Sequence, residues 1–199
     1  MAFIEDIAAL EAIYGPPMPT SLAKVADHLT PVYARWVAAS RFCILSTAGP
    51  EGTDATPRGE DGPVVVQQDP RTLLLPDWAG NNRIDSLRNI VTDPRLSLLF
   101  MAPGSNNVVR VNGRGRITAD AAMRARFERR GKLPRTVLVV AIEEVYFQCA
   151  KALLRARLWD GTRPEVPSAG DMLAEMTGGA EGGRDYDRNY AERVKDRMW

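Results

Sequence analysis

Histidine is nearly missing from this chain: its 199 residues hold one, His28, and only two cysteines, Cys43 and Cys149. So few imidazole and thiol ligands, spread so far apart, exclude a Cys/His zinc site. A Ser-His-Asp or Cys-His device would have to use His28, which stands in a helical stretch with no motif around it. It reads as a surface or helix-packing residue. Each cysteine falls inside an apolar, strand-like run, so both read as buried thiols of a reducing compartment rather than as a disulfide. An excess of one charge is also lacking. With 26 Lys and Arg against 25 Asp and Glu, the formal charge is +1, and no overall field draws nucleic acid or an anionic membrane. No run approaches the roughly 20 apolar residues that span a bilayer. "MAFIEDIAAL" has no basic n-region of a signal peptide. The expectation is a cytoplasmic protein whose chemistry comes from a cofactor or from Arg, Lys, Tyr and carboxylates.

What is present is an ordinary globular composition, 45% apolar. Residues 3–14 place Phe3, Ile4, Ile7, Leu10, Ile13 and Tyr14 at helical spacing before Gly15-Pro16-Pro17. A second helix is expected from about Ser21 to Ser40, broken or kinked at Pro31. The period then changes. "RFCILST", "ATPRGE", "PVVVQQ", "TLLLPD", "RLSLLFM" and "NVVRVNGRGRIT" read as strands, separated mostly by Gly/Pro turns. A basic helix is expected over 119–130, and "TVLVVAIEEVYFQCA" supplies one or two last strands.

A doubly wound sheet needs a helix after nearly every strand, and too few are present. The fold expected is mainly β (α+β): a six- to seven-stranded antiparallel split β-barrel with short peripheral helices. The domain division is 1–40 for helices packed on the barrel, 41–160 for the barrel and 161–199 for a helical tail. In that tail "SAGDMLAEMTG" and "RDYDRNYAERVKDRMW" read as two helices joined by "GGAEGGR".

One connection stands out. In "LLLPDWAGNNRIDSLRNIVTDPRLSLLFM" a short amphipathic helix opens on Asn81-Asn82-Arg83 directly after Gly80. Either asparagine can cap it, with Asp85 in its first turn and Ile84, Leu87 and Val91 as the buried stripe. Arg83 and Arg88 then lie on its wet face. Free N–H groups at a helix start, two side-chain amides and a guanidinium also make an anion cradle. Arg58 ends a strand, Arg110 alternates with Val109 and Val111, and Lys151 and Arg155 share a helical face. Each alone reads as a solvated charge; convergence on one anion is an expectation about the fold.

The block from "ATPRGEDGPVVVQQDP" through "NGRGRI" resembles the flavin-binding core of the pyridoxamine 5'-phosphate oxidase-like superfamily. Pro57-Arg58-Gly59, Pro76 to Arg83, Leu99 to Gly104, Val109 to Gly113 and Val145 to Trp159 are similar to an uncharacterised bacterial branch, over roughly residues 40–160. The resemblance implies a split β-barrel and a homodimer with FMN at the subunit interface. It implies that Arg58, Asn81, Asn82 and Arg83 grip the cofactor phosphate and that Asp77 and Trp78 contact the flavin. It further implies that Arg110, Lys151 and Arg155 complete the pocket, some from the partner subunit. The carboxy-terminal segment rich in Arg, His and Trp that binds substrate phosphate in true pyridoxamine phosphate oxidases has no counterpart, and the tail holds no histidine. The expected function is an FMN-dependent oxidoreductase of unassigned substrate. A deazaflavin-dependent reductase and a non-catalytic flavin or haem storage protein are the alternatives.

Overall fold

The computed structural model describes residues 1–195 and 198–199. Its strands are β1 (Phe42–Gly49), β2 (Gly52–Gly59), β3 (Val66–Asp69), β4 (Thr72–Asp77), β5 (Arg95–Met101), β6 (Val108–Thr118) and β7 (Thr136–Gln148). They form one antiparallel sheet in the order β2-β1-β5-β6-β7-β4-β3, a mainly β split barrel. Alternation explains most of it. β1 buries Cys43, Leu45 and Thr47, β5 buries Leu96, Leu98 and Phe100, and β6 buries Val109 and Val111, one face turned to the core. β4 buries Leu73, Leu74 and Leu75 in succession, because apolar clusters lie on both of its sides. The last apolar run is a single strand.

The sheet curls where β6 and β7 slip register between Asn112 and Gly113. A Cβ at Gly113 would run into the carbonyl of Ala141, so only glycine permits this approach. Curling carries β2, one edge, towards the end of β4. β3 covers β4 only along Thr72–Leu74, which leaves Leu75–Asp77 open on that side. Two side-chain bonds cross the resulting seam. Arg58 Nη1 donates to Asp77, and Trp78 Nε1 donates to Glu60.

The helices are α1 (Ile7–Tyr14), α2 (Pro19–Ala23), α3 (Pro31–Ala38), α4 (Asp85–Thr92), α5 (Ala121–Ala125), α6 (Lys151–Ala156), α7 (Ala169–Met176), α8 (Gly183–Arg188) and α9 (Tyr190–Lys195). Several differ from expectation. The helix expected over 21–40 is two, since Pro31 starts α3 at N1 with Thr30 capping Tyr33 N at 3.3 Å. The basic helix of 119–130 contracts to α5, which ends at Ala125, and Arg130 and Gly131 turn the chain further on with positive φ. The second tail helix divides at Asn189; its expected continuation at 196–197 lies outside the described residues. Cys43 is buried, and burial pushes its thiol up to about 12, but Cys149 lies just past β7 and is exposed. Both are free.

The opening of α4 is the main correction. It starts at Asp85, and Asn82 sits before it in the left-handed region at φ 64°, so neither asparagine caps it. Asn81 Oδ1 instead accepts from Arg83 N at 2.9 Å, closing a local turn. The buried face is Ser86, Asn89 and Ile90, while Ile84 and Val91 are exposed. Polar side chains face inward because each has a partner there. Asn89 Nδ2 donates to Thr47 Oγ1 at 3.1 Å, and Ser86 donates to Asp54.

Candidate functional site

The seam holds a cleft of about 280 Å³. One wall is the core-facing side of β2, with Asp54, Thr56 and Arg58; the other is Asp77 and Trp78 at the end of β4. The turn Gly80–Ile84, the first turn of α4 and Arg135 close the rim. β2 aims Arg58 inward because it pairs with Cys43, a fully buried residue on the same face. Arg135 reaches the rim because Thr136 pairs with Asp77 in the β4–β7 ladder, and Arg135 N donates to Asp77 O at 2.8 Å.

Three guanidinium groups and three carboxylates share this space. Arg58 and Asp77 form the most enclosed pair, their side chains 21% and 15% exposed. Arg58 Nε is buried and has no hydrogen-bond partner among the described residues. An orphaned donor on a buried cation is costly unless an acceptor reaches it. Arg83 is different: 79% exposed, it donates from Nε to Asp85 Oδ2 at 2.5 Å, and that bond raises its pKa. Arg135 Nη1 donates to Asn82 Oδ1 at 2.6 Å, a neutral partner that leaves its charge uncancelled there. The cleft therefore offers donors to an anion at its buried end and adaptable cations at its mouth.

Of the residues singled out in the sequence, Arg58, Asp77, Trp78, Asn81, Asn82 and Arg83 come together here. Arg110, Lys151 and Arg155 do not line it. Arg110 lies on the other face of the sheet, with Nη1 donating to Tyr146 OH at 3.1 Å. Lys151 and Arg155 are exposed on α6, past the end of β7 opposite to Thr136. Sequence reasoning missed Arg135, Asp54 and Ser86. Only the strand register brings Arg135 to Asp77, and the inward turn of Ser86 follows from the polar face of α4. Among the described residues no group of three or more His, Cys, Asp and Glu is placed to hold a metal, and no helix is long and apolar enough to cross a membrane.

A curled antiparallel sheet with an arginine-lined seam places the chain among the split-barrel proteins. The family profile described as pyridoxamine 5'-phosphate oxidase matches residues 29–149, and the chain belongs to that family. Among solved structures it is similar to HupZ from Group A Streptococcus, at 15% identity over 68% of this chain and 98% of that one, with a TM-score of 0.48. It is similar to General Stress Protein 26 of Bacillus anthracis at 15% identity, over 57% and 88% of the two chains, with a TM-score of 0.44. An FAD-binding protein of Mesorhizobium loti matches at 19% identity over 62% and 94%, with a TM-score of 0.42. No curated protein matches the chain.

Proposed function

We propose that the seam cleft binds the phosphate end of FMN and that the protein is an FMN-dependent oxidoreductase acting as a homodimer. The observation that carries this reading is the buried, unpartnered Nε of Arg58, in a cleft whose mouth holds two further arginines. The family generally binds flavin, which makes a phosphate-bearing flavin the fitting occupant. Arg58 would donate from Nε to a phosphate oxygen while Asp77 holds its guanidinium plane in place. The Asn81 and Asn82 amides and Arg83 would close over the remaining oxygens, and Trp78 would wall the ribityl side.

When bound, FMN supplies the hydride or electron chemistry. The chain supplies grip, orientation and exclusion of water. About 280 Å³ lies at the low edge of the roughly 300–1,000 Å³ usual for cofactor sites. It suits a phosphate and its tether, so the ring would extend onto surface that a second subunit covers. In that arrangement Arg110 would serve the ring only from the outer sheet face, and Lys151 and Arg155 would reach a cofactor only from the partner subunit. The barrel of 41–160 is then the cofactor-binding unit, with 1–40 and 161–199 as appendages.

FMN titration of apo-protein variants tests the grip. Arg58→Ala is expected to lose roughly 30- to 1000-fold in affinity, about 2–4 kcal/mol, the usual loss when one partner of a buried charged pair is removed. Arg83→Ala should lose far less affinity than Arg58→Ala, as an exposed side chain does, and Arg88→Ala is the unchanged control. Melting curves without cofactor separate lost binding from lost folding. Equal, small effects from all three variants, or tighter binding of FAD than FMN, overturn the reading. Stopped-flow mixing with NADH and NADPH then distinguishes an oxidoreductase from a flavin store, which neither donor reduces.

A further inference from the structure

We propose that residues 1–14 form an arm that docks on the α6 surface of a second copy of this chain. The proposal rests on the homodimer just described. α1 has no buried residue, although Phe3, Ile7, Ile13 and Tyr14 are among the largest apolar side chains of its segment and are 66–80% exposed. Ile7, Leu10 and Tyr14 share one helical face, and Asp6 caps the helix at Ala9 N at 2.8 Å. A well-capped helix with a largely exposed apolar face is a surface built for contact.

Charge names the counterpart. Up to Ala23 the ionised side chains are Glu5, Asp6 and Glu11, with no lysine or arginine. From Val145 to Trp159 they are Lys151, Arg155 and Arg157, with no acid. That basic segment exposes its own apolar residues, Leu154 at 57%, Leu158 at 48% and Trp159 at 41%. An acidic apolar helix and a basic apolar patch complement each other in both respects.

The root of the arm explains why the contact is made between copies. Lys24 Nζ lies 4.7 Å from the Phe147 ring, and Ala26 pairs with Val145, so the chain is fastened beside its own patch. Gly15 then turns at φ 69°, and Pro16-Pro17 stiffens the link to α1, which buries no residue on its own chain. About a two-fold axis each arm crosses to the other subunit's patch, an isologous exchange.

Disulfide trapping in the full chain tests this. Leu10→Cys is combined with Leu154→Cys in a Cys149→Ser background, and Leu10→Cys with Val66→Cys on edge strand β3 serves as the control. The expected result is a covalent dimer on a non-reducing gel for the first pair, with the Leu10–Leu154 bridge confirmed by mass spectrometry, and none for the control. Glu11→Arg should weaken dimerisation roughly tenfold, about 1.4 kcal/mol, and Glu11→Arg with Arg155→Glu should restore it. A bridge confined within one chain overturns exchange. A chain that sediments as a dimer but forms no bridge overturns the arm and leaves the homodimer standing. A monomer at every concentration overturns both.

Discussion

Asp27 illustrates how much one exposed carboxylate can be tied into. His28 Nδ1 lies 2.7 Å from it, and Arg71 donates to its side chain at 2.5 Å and to its backbone carbonyl at 2.9 Å. These contacts join the segment before α3 to the β3–β4 turn, where Leu29 N also bonds Pro70 O at 2.8 Å. The hydrogen bond with His28, then that with Arg71, draws the carboxyl down from 3.8 to about 2. A carboxyl depressed in the folded state stabilises the fold above its ordinary value. That contribution fades as pH falls from about 4 through about 2. Denaturant unfolding of wild type beside Asp27→Asn should therefore show a stability gap that is full at pH 5 and closes by about pH 2. A gap unchanged across that interval counts against the linkage. Legibility at this scale is uneven. Arg58 can be picked out because it ends a strand, whereas Arg135 is one arginine of a basic stretch until the ladder pairs its neighbour with Asp77.

Whole elements are legible where burial follows the backbone period. β1, β5 and β6 alternate cleanly, and the sequence pattern places each within a few residues of its position. α4 escapes it, because its inward face carries Ser86 and Asn89, which hydrophobic periodicity assigns to solvent. A buried polar side chain with its partner on another strand leaves no local trace. The corrected register has a direct test. Ile90 is 2% exposed in the main core, so Ile90→Ala should cost about 2–5 kcal/mol. Val91, its neighbour, is 77% exposed, and Val91→Ala should change stability by about 0.5 kcal/mol or less. Chemical denaturation of both variants decides the matter, and a reversed order would restore the stripe expected from sequence.

At the scale of the molecule, strand count and turn spacing are enough to read a split barrel, but the closure of its seam depends on partners nineteen and eighteen positions apart in sequence. The outer sheet face is the surface on which the proposed second subunit would rest. Ile44, Leu99 and Met101 are only half-buried there, beside Arg110 and Asn112 on the next strand. Sedimentation at micromolar concentration should give about twice the 21.9 kDa of one chain, and a persistent single-chain mass with flavin bound would sink the dimer. The seam itself has one more implication. A ladder of backbone bonds resists separation along its whole length, whereas β2 and β4 are buttoned together by Arg58–Asp77 and Glu60–Trp78. Such a fastening can be undone at two points without unravelling the sheet. Of the side chains that hold the seam shut, Arg58, Asp77 and Trp78 also face the cleft, so loosening the closure and reshaping the cleft are one event.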